Sequence, residues 1–159
     1  MWRRKENLLC GGNIRILIGH QGEKPHREIR VHNLVPTCGL DKINDLIWYP
    51  ELGGGGFTPA YFAVGTSAAV TGAGTTTLGS ENFRKLIARR LPADTGPGAT
   101  VYGYIETSES NGVDLYEVGL FTEETANTGL LWGRATHPKI VKTSSIYVIY
   151  EWLWSLSAS

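Results

Sequence analysis

A chain of 159 residues in which 15 Lys and Arg balance 15 Asp and Glu carries no net charge, which excludes the broad basic surface needed for a general grip on nucleic acid. No apolar run approaches the ~20 residues that cross a bilayer as a helix, and the charged, glycine-broken start MWRRKENLLCGGNIRILIGH makes a poor signal peptide. Cys10 and Cys38, the only cysteines, match neither a disulfide scaffold nor a zinc site, and with no Asn-x-Ser/Thr sequon they read as free, buried thiols in a chain made in a reducing compartment.

In GGNIRILIGH, Ile14, Ile16 and Ile18 alternate and predict a strand. REIRVHNLV predicts a second, with Ile29 and Val31 on one side and Arg30 and His32 on the other, and GHQGEKPH between them supplies Gly and Pro for a hairpin turn. TCGLDKINDLIWYP sets Leu40, Ile43 and Ile47 on one helical face and stops at Pro50, giving the one helix expected in the chain. Four glycines, Gly53 to Gly56, then predict a flexible joint. It separates an N-terminal hairpin and helix extension, residues 1–52, from a β-domain, residues 53–159.

AYFAVGTS predicts a short strand, and SAAVTGAGTTTLGSE a long loop of small and polar residues. ENFRKLIARRLP is ambiguous between helix and strand, because Phe83, Lys85 and Ile87 alternate poorly. ATVYGYI predicts a strand, SNG a turn, VDLYEVGLFT a strand, TEETANTG a turn, and LLWGRATH a return strand that ends before Pro138. After the turn KTSS, the positions Ile146, Val148, Tyr150, Trp152, Trp154 and Leu156 form one buried face of a last strand. Its other face, Tyr147, Ile149, Glu151 and Leu153, is too apolar for full solvation, so the strand is central or meets another chain. Trp152 and Trp154 are accordingly expected at an interface. The fold class is mainly β: an antiparallel β-sandwich with one short helix and an N-terminal extension.

The motifs of chemistry are incomplete. GTSAA approaches a nucleophile elbow, but Ala69 replaces the second glycine, and the downstream base, His137, has no orienting acid. GAGTTT lacks the lysine of a phosphate-binding loop, and no G-x-G-x-x-G precedes a helix. His20, His26 and His32 recur every six residues, but Gly22 and Pro25 break the run and no carboxylate cluster joins them. Glu123 and Glu124 are adjacent turn residues rather than opposed acids. No catalytic residue, cofactor or metal ligand is therefore assigned, and the chain is expected not to be an enzyme.

Glu117 and Arg134 stand on the two arms of one expected hairpin, as a cross-strand ion pair that sets register, with Arg84 a third candidate for the same cluster. These three are the expected structural residues.

The succession YFAVGTS, LGSENFRKLI, TSESNGVDLYEVGLF, GLLWGRATH and IVKTSSIYVIYEWLW resembles a pattern in tailed-bacteriophage virion proteins, tail-fibre-like and baseplate-associated, over residues 60 to 156. The matched positions are Glu81 and Arg84, Glu117 to Phe121, Arg134 and Ala135, and Lys142 to Ser145. The resemblance implies a non-enzymatic virion structural protein, made in the bacterial host cytoplasm and placed in the tail region. It implies docking to tail, baseplate or fibre proteins as a homo-oligomer, with no nucleic-acid or membrane partner. Two alternatives are a capsid decoration or head-fibre protein, and a carbohydrate-binding receptor-recognition module using the tryptophans and the loop from Val70 to Ser80.

Overall fold

The computed structural model describes residues 8–48, 58–70, 72–92 and 98–158, with the backbone alone at 8–10, 42, 44–48 and 156–158. The expected glycine joint, Gly53 to Gly56, lies outside the described residues. Among the described residues, nine strands and one helix follow in the order β1 (Leu8–His20), β2 (Arg27–His32), α1 (Thr37–Trp48), β3 (Tyr61–Gly65), β4 (Glu81–Leu86), β5 (Arg89–Pro92), β6 (Gly98–Ile105), β7 (Val113–Phe121), β8 (Leu131–Lys142) and β9 (Ile146–Ala158). They form two antiparallel sheets, β2-β1-β9-β6-β5 and β4-β3-β7-β8, packed as a sandwich.

Strict alternation in β1 and β9 builds the core from the larger sheet. Ile14, Ile16, Val148, Tyr150 and Trp152 are buried, facing Phe62, Val64, Leu115, Val118, Leu120 and Ile140 of the smaller sheet. Phe62 lies so close to β6 that a Cβ on Gly103 would come within 2.7 Å of its ring, so only glycine fits there. β9 is central, as expected, and β1 pairs with it from His20↔Ile146 to Leu8↔Ala158. The N-terminal hairpin is thus part of the larger sheet. Residues from both sides of the glycine run build a single core.

The ambiguous segment ENFRKLIARRLP is a crossover between sheets. Ile87 donates its N–H to Ala60 O (2.9 Å) in the smaller sheet's surroundings, and Ala88, the next residue, donates to Tyr102 O (2.8 Å) on β6. A strand that changes sheets changes which parity faces the core, which is why its hydrophobic period is blurred.

β8 runs through Pro138, where the sequence predicted an end. Leu115 pairs with Ile140 but Glu117 with Thr136, so three β8 residues oppose Tyr116 alone. Proline lacks the ladder N–H, and this bulge is where a strand tolerates it. The helix begins where predicted, but Leu40 is 44 % exposed while Ile43 packs on the core.

Beside the bulge, His137 is buried. Its Nδ1 sits 2.9 Å from Pro138 O, which can only accept, so Nδ1 carries the proton and Nε2 accepts from the Tyr150 hydroxyl (3.3 Å). Burial lowers the His137 pKa and pushes the Tyr150 phenol well up. The unfolded chain therefore takes up a proton near pH 6.5 that the folded chain still refuses. Stability is expected to fall as pH drops from 7 toward 5, by no more than ~1.4 kcal/mol per pH unit for this one proton. Urea titrations of the native chain and His137→Gln at both pH values check this: equal pH slopes would remove His137 as the cause.

Candidate functional site

The outer face of the smaller sheet is covered by a third layer. Ala63, Phe121 and Leu131 point outward and pack with Leu78, Cys38 and Tyr61. The loop from Thr66 to Ser80 lies over this face, closed at its base by Thr66 N–H to Ser80 O (2.8 Å). The start of α1 holds it from the side: Thr37 N–H donates to Ala73 O (2.9 Å), and Cys38 Sγ lies 3.9 Å from Thr75 O and 3.5 Å from Leu131 O.

Glu117 and Arg134 lie under this loop. On β7, Glu117 faces away from the sandwich core, because Val118 and Leu120 take the inward parity. The pair is 2.6 Å apart, with side chains 0 % and 4 % exposed. The register differs from the expectation: Glu117 opposes Thr136 and Arg134 opposes Gly119, so the two meet diagonally. Glu117 also accepts backbone N–H bonds from Gly79 (2.9 Å), Ser80 (2.8 Å) and Ser67 (3.3 Å). Arg134 reaches Ala69 O (3.4 Å). A Cβ on Gly65 would collide with the Glu117 carboxylate and the Ser80 carbonyl, so the close approach requires glycine there. The carboxylate is a spool around which the loop is wound, and its side chain does more for loop conformation than for strand register.

Beyond this anchor the loop is open to solvent: Val70 is 92 % exposed, and Ala68, Ala69 and Gly72 to Gly74 are exposed.

Arg84 belongs to a different cluster. Its guanidinium forks onto Glu81 (Nε to Oε1 2.7 Å, Nη2 to Oε2 2.7 Å), and Nη1 donates to Glu123 O (2.7 Å) and Thr128 O (3.0 Å). Its centre lies 3.7 Å over the Phe121 ring. Glu81 in turn accepts the N–H of Asn127 (3.2 Å), which holds a left-handed φ of 59°. Arg84 therefore fixes the β7–β8 tip, leaving Glu123 and Glu124 as exposed turn residues. At the other end of that hairpin, fully buried Lys142 donates to Asn111 Oδ1 (2.8 Å) and Thr143 O (2.9 Å), and desolvation lowers its pKa.

Trp152, expected at an interface, is 1 % exposed and belongs to the core of this chain. Trp154 is partly buried, stacked on Trp152 (6.3 Å between ring centroids) and edge-on to Trp132 (6.4 Å). Ser67 and His137 have separate partners: Ser67 Oγ accepts from Ala69 N–H, whereas His137 bonds Tyr150 and Pro138. His20 and His26 stack at 4.8 Å, while His32 pairs with Asn13 across β1–β2. Among the described residues no three His, Cys, Asp or Glu side chains gather as a metal site, and no helix is long and apolar enough to span a membrane.

Comparison with known proteins gives no matching family model, curated protein or solved structure.

The Glu81 and Glu117 networks were only half legible. Glu117 stood out as a charge among apolar strand residues; Glu81, its counterpart at the tip, was marked with Arg84 in the resemblance, but its pairing showed only in their i,i+3 spacing.

Proposed function

We propose that this chain is a non-enzymatic structural component of a bacteriophage virion, in the tail or baseplate or at a fibre attachment, acting through protein–protein contacts. In this reading it is made in the host cytoplasm and docks as a homo-oligomer onto other virion proteins. The supporting observation is convergence. The segments YFAVGTS, LGSENFRK, EVGLF and GRA, scattered over more than 70 residues, come together as β3, β4, β7 and β8 with the loop wound on Glu117. The charged residues of those segments are spent on internal bonds, which suits a display scaffold rather than a reaction centre. What the scaffold presents is a loop anchored at its base on Glu117, with Val70 exposed. Anchoring the base lowers the entropy a loop loses on docking, which favours assembly.

The test is made on phage particles. Mass spectrometry of purified virions should detect the chain, and gold-labelled antibody should mark the tail. Val70→Asp, a surface change expected to move stability by no more than ~0.5 kcal/mol, should reduce incorporation severalfold. Particles that never contain the chain would overturn the reading, and label on the head would replace the tail assignment with a capsid role.

A further inference from the structure

The opposite face of the molecule carries a separate feature. The outward side of the larger sheet forms an open groove of about 580 Å³, within the ~300–1,000 Å³ range of small-molecule sites. Two cross-strand rows make it. One runs His32–Asn13–Leu153–Thr100, and the next Arg30–Arg15–Glu151–Tyr102, each crossing β2, β1, β9 and β6 in order. Three strand spacings make the groove roughly 14 Å long, the scale of a short oligomer rather than a single small metabolite.

We infer that this groove binds an acidic oligosaccharide, its carboxylates held by Arg15 and Arg30 and a sugar ring lying against Tyr102. Four features favour that occupant. First, the guanidinium groups: Arg15 is 42 % exposed although Nε and Nη2 both engage Glu151 Oε2 (2.6 Å), and Arg30 is 77 % exposed, bonded only at its rim to Glu28. Planar guanidinium forks match carboxylates in a bidentate way. Second, the charge balance: Arg15 and Arg30 are matched by Glu151 and Glu28, and Arg89, next in the row opposite Tyr102, adds one positive charge beside the groove. Third, the mixture of groups: Asn13, Thr100, His32 and Glu151 offer donors and acceptors for sugar hydroxyls, and Tyr102 and Leu153 offer apolar surface for the C–H face of a pyranose. Fourth, the groove lacks the desolvated aromatic or aliphatic centre that anchors protein partners: Leu153, at 48 %, is the one large exposed hydrophobe among its lining residues. Nucleic acid is disfavoured by Glu151 at the middle of the arginine row and by the zero net charge of the chain.

This places sugar contact away from Trp152 and Trp154, which face inward, and away from the Val70 loop, which is on the far side of the sandwich. The inference is independent of the virion reading.

Isothermal titration of the full chain with oligogalacturonate tests it, with neutral dextran and single-stranded polynucleotide as competitors for the explanation. Oligogalacturonate is expected to bind at low ionic strength. Arg30→Glu, a surface change that leaves the fold intact, and Tyr102→Ala should each weaken binding at least tenfold, while Val70→Asp should leave it unchanged. The inference is overturned by no binding, by dextran binding as tightly, by tighter binding of the polynucleotide, or by Arg30→Glu binding like the native chain.

Discussion

Replacing Glu117 with alanine is expected to destabilise the fold by about 3–5 kcal/mol, the cost of leaving a buried charge without its partner. Arg134, 4 % exposed, would keep its charge under the loop with the carboxylate at 2.6 Å removed. The N–H groups of Ser67, Gly79 and Ser80 would lose their acceptor as well. The loop has an escape, because it can peel away and let water satisfy those groups. That escape caps the loss and gives it a signature: hydrogen exchange at Gly79 and Ser80 should accelerate well before the β-sandwich core is affected. For a chain of this size the midpoint of thermal unfolding should fall on the order of 10 °C, at ~2–4 °C per kcal/mol. Glu117→Gln preserves shape but turns one side of the group from acceptor to donor, so it should recover only part of the loss. The double variant Glu117→Leu with Arg134→Met should be more stable than either single change, since no charge is left unpaired. A urea-derived loss below ~1 kcal/mol for Glu117→Ala, with Gly79 and Ser80 exchange unchanged, would show that the loop is held by something else.

Why the sequence showed the pair but not its purpose follows from what alternation encodes. In EVGLF, Glu117 at one parity and Val118 and Leu120 at the other mark two faces, and the two arms of a hairpin bring Glu117 and Arg134 to the same face. A hairpin contact is local in sequence, so it could be anticipated. The loop donors come from residues 67, 79 and 80, and small polar residues carry no periodic mark of where their N–H groups point. The bulge at Tyr116, which shifts the partners into a diagonal, shows in side-chain type only through Pro138 and the switch of inward parity between Leu115 and Val118.

The same division runs through the fold. β1 and β9 were legible because each repeats apolar residues at period two, and their mutual pairing follows once both need a buried face. The four-glycine run suggested a division of the chain that the sheet order ignores, because composition reports local stiffness and says nothing of which distant strand the first hairpin will join. The tryptophans were assigned to an interface on the surplus of apolar residues along β9. The surplus on their side is used inside the chain, with Trp152 covered by the sandwich and Trp154 stacked on it.

The second large effect is expected at Arg84. Arg84→Ala should cost about 3–5 kcal/mol, since Glu81, its side chain 1 % exposed, would be left buried without a counter-charge. The informative substitution is Arg84→Lys. Lysine keeps the charge, and if charge neutralisation were the whole role it would restore nearly all the stability. The geometry requires more: a fork to both Glu81 oxygens, a third nitrogen shared between the carbonyls of Glu123 and Thr128, and a flat face 3.7 Å above Phe121. An ammonium is a compact, strongly hydrated donor on a shorter reach and supplies one or two of these at a time. Arg84→Lys should therefore still lose about 2–3 kcal/mol, from charge-assisted hydrogen bonds worth ~1.5–3 kcal/mol when removed. The loss should be local before it is global, appearing first as faster hydrogen exchange at Asn127 and Leu130 in the β7–β8 tip, while Ser80, bonded to Glu117, stays protected. If lysine matches arginine in urea unfolding, the site is a simple charge pair. If Ser80 loses protection together with Asn127, the tip and the loop are one cooperative unit, and the outer layer of the smaller sheet behaves as a single rigid surface.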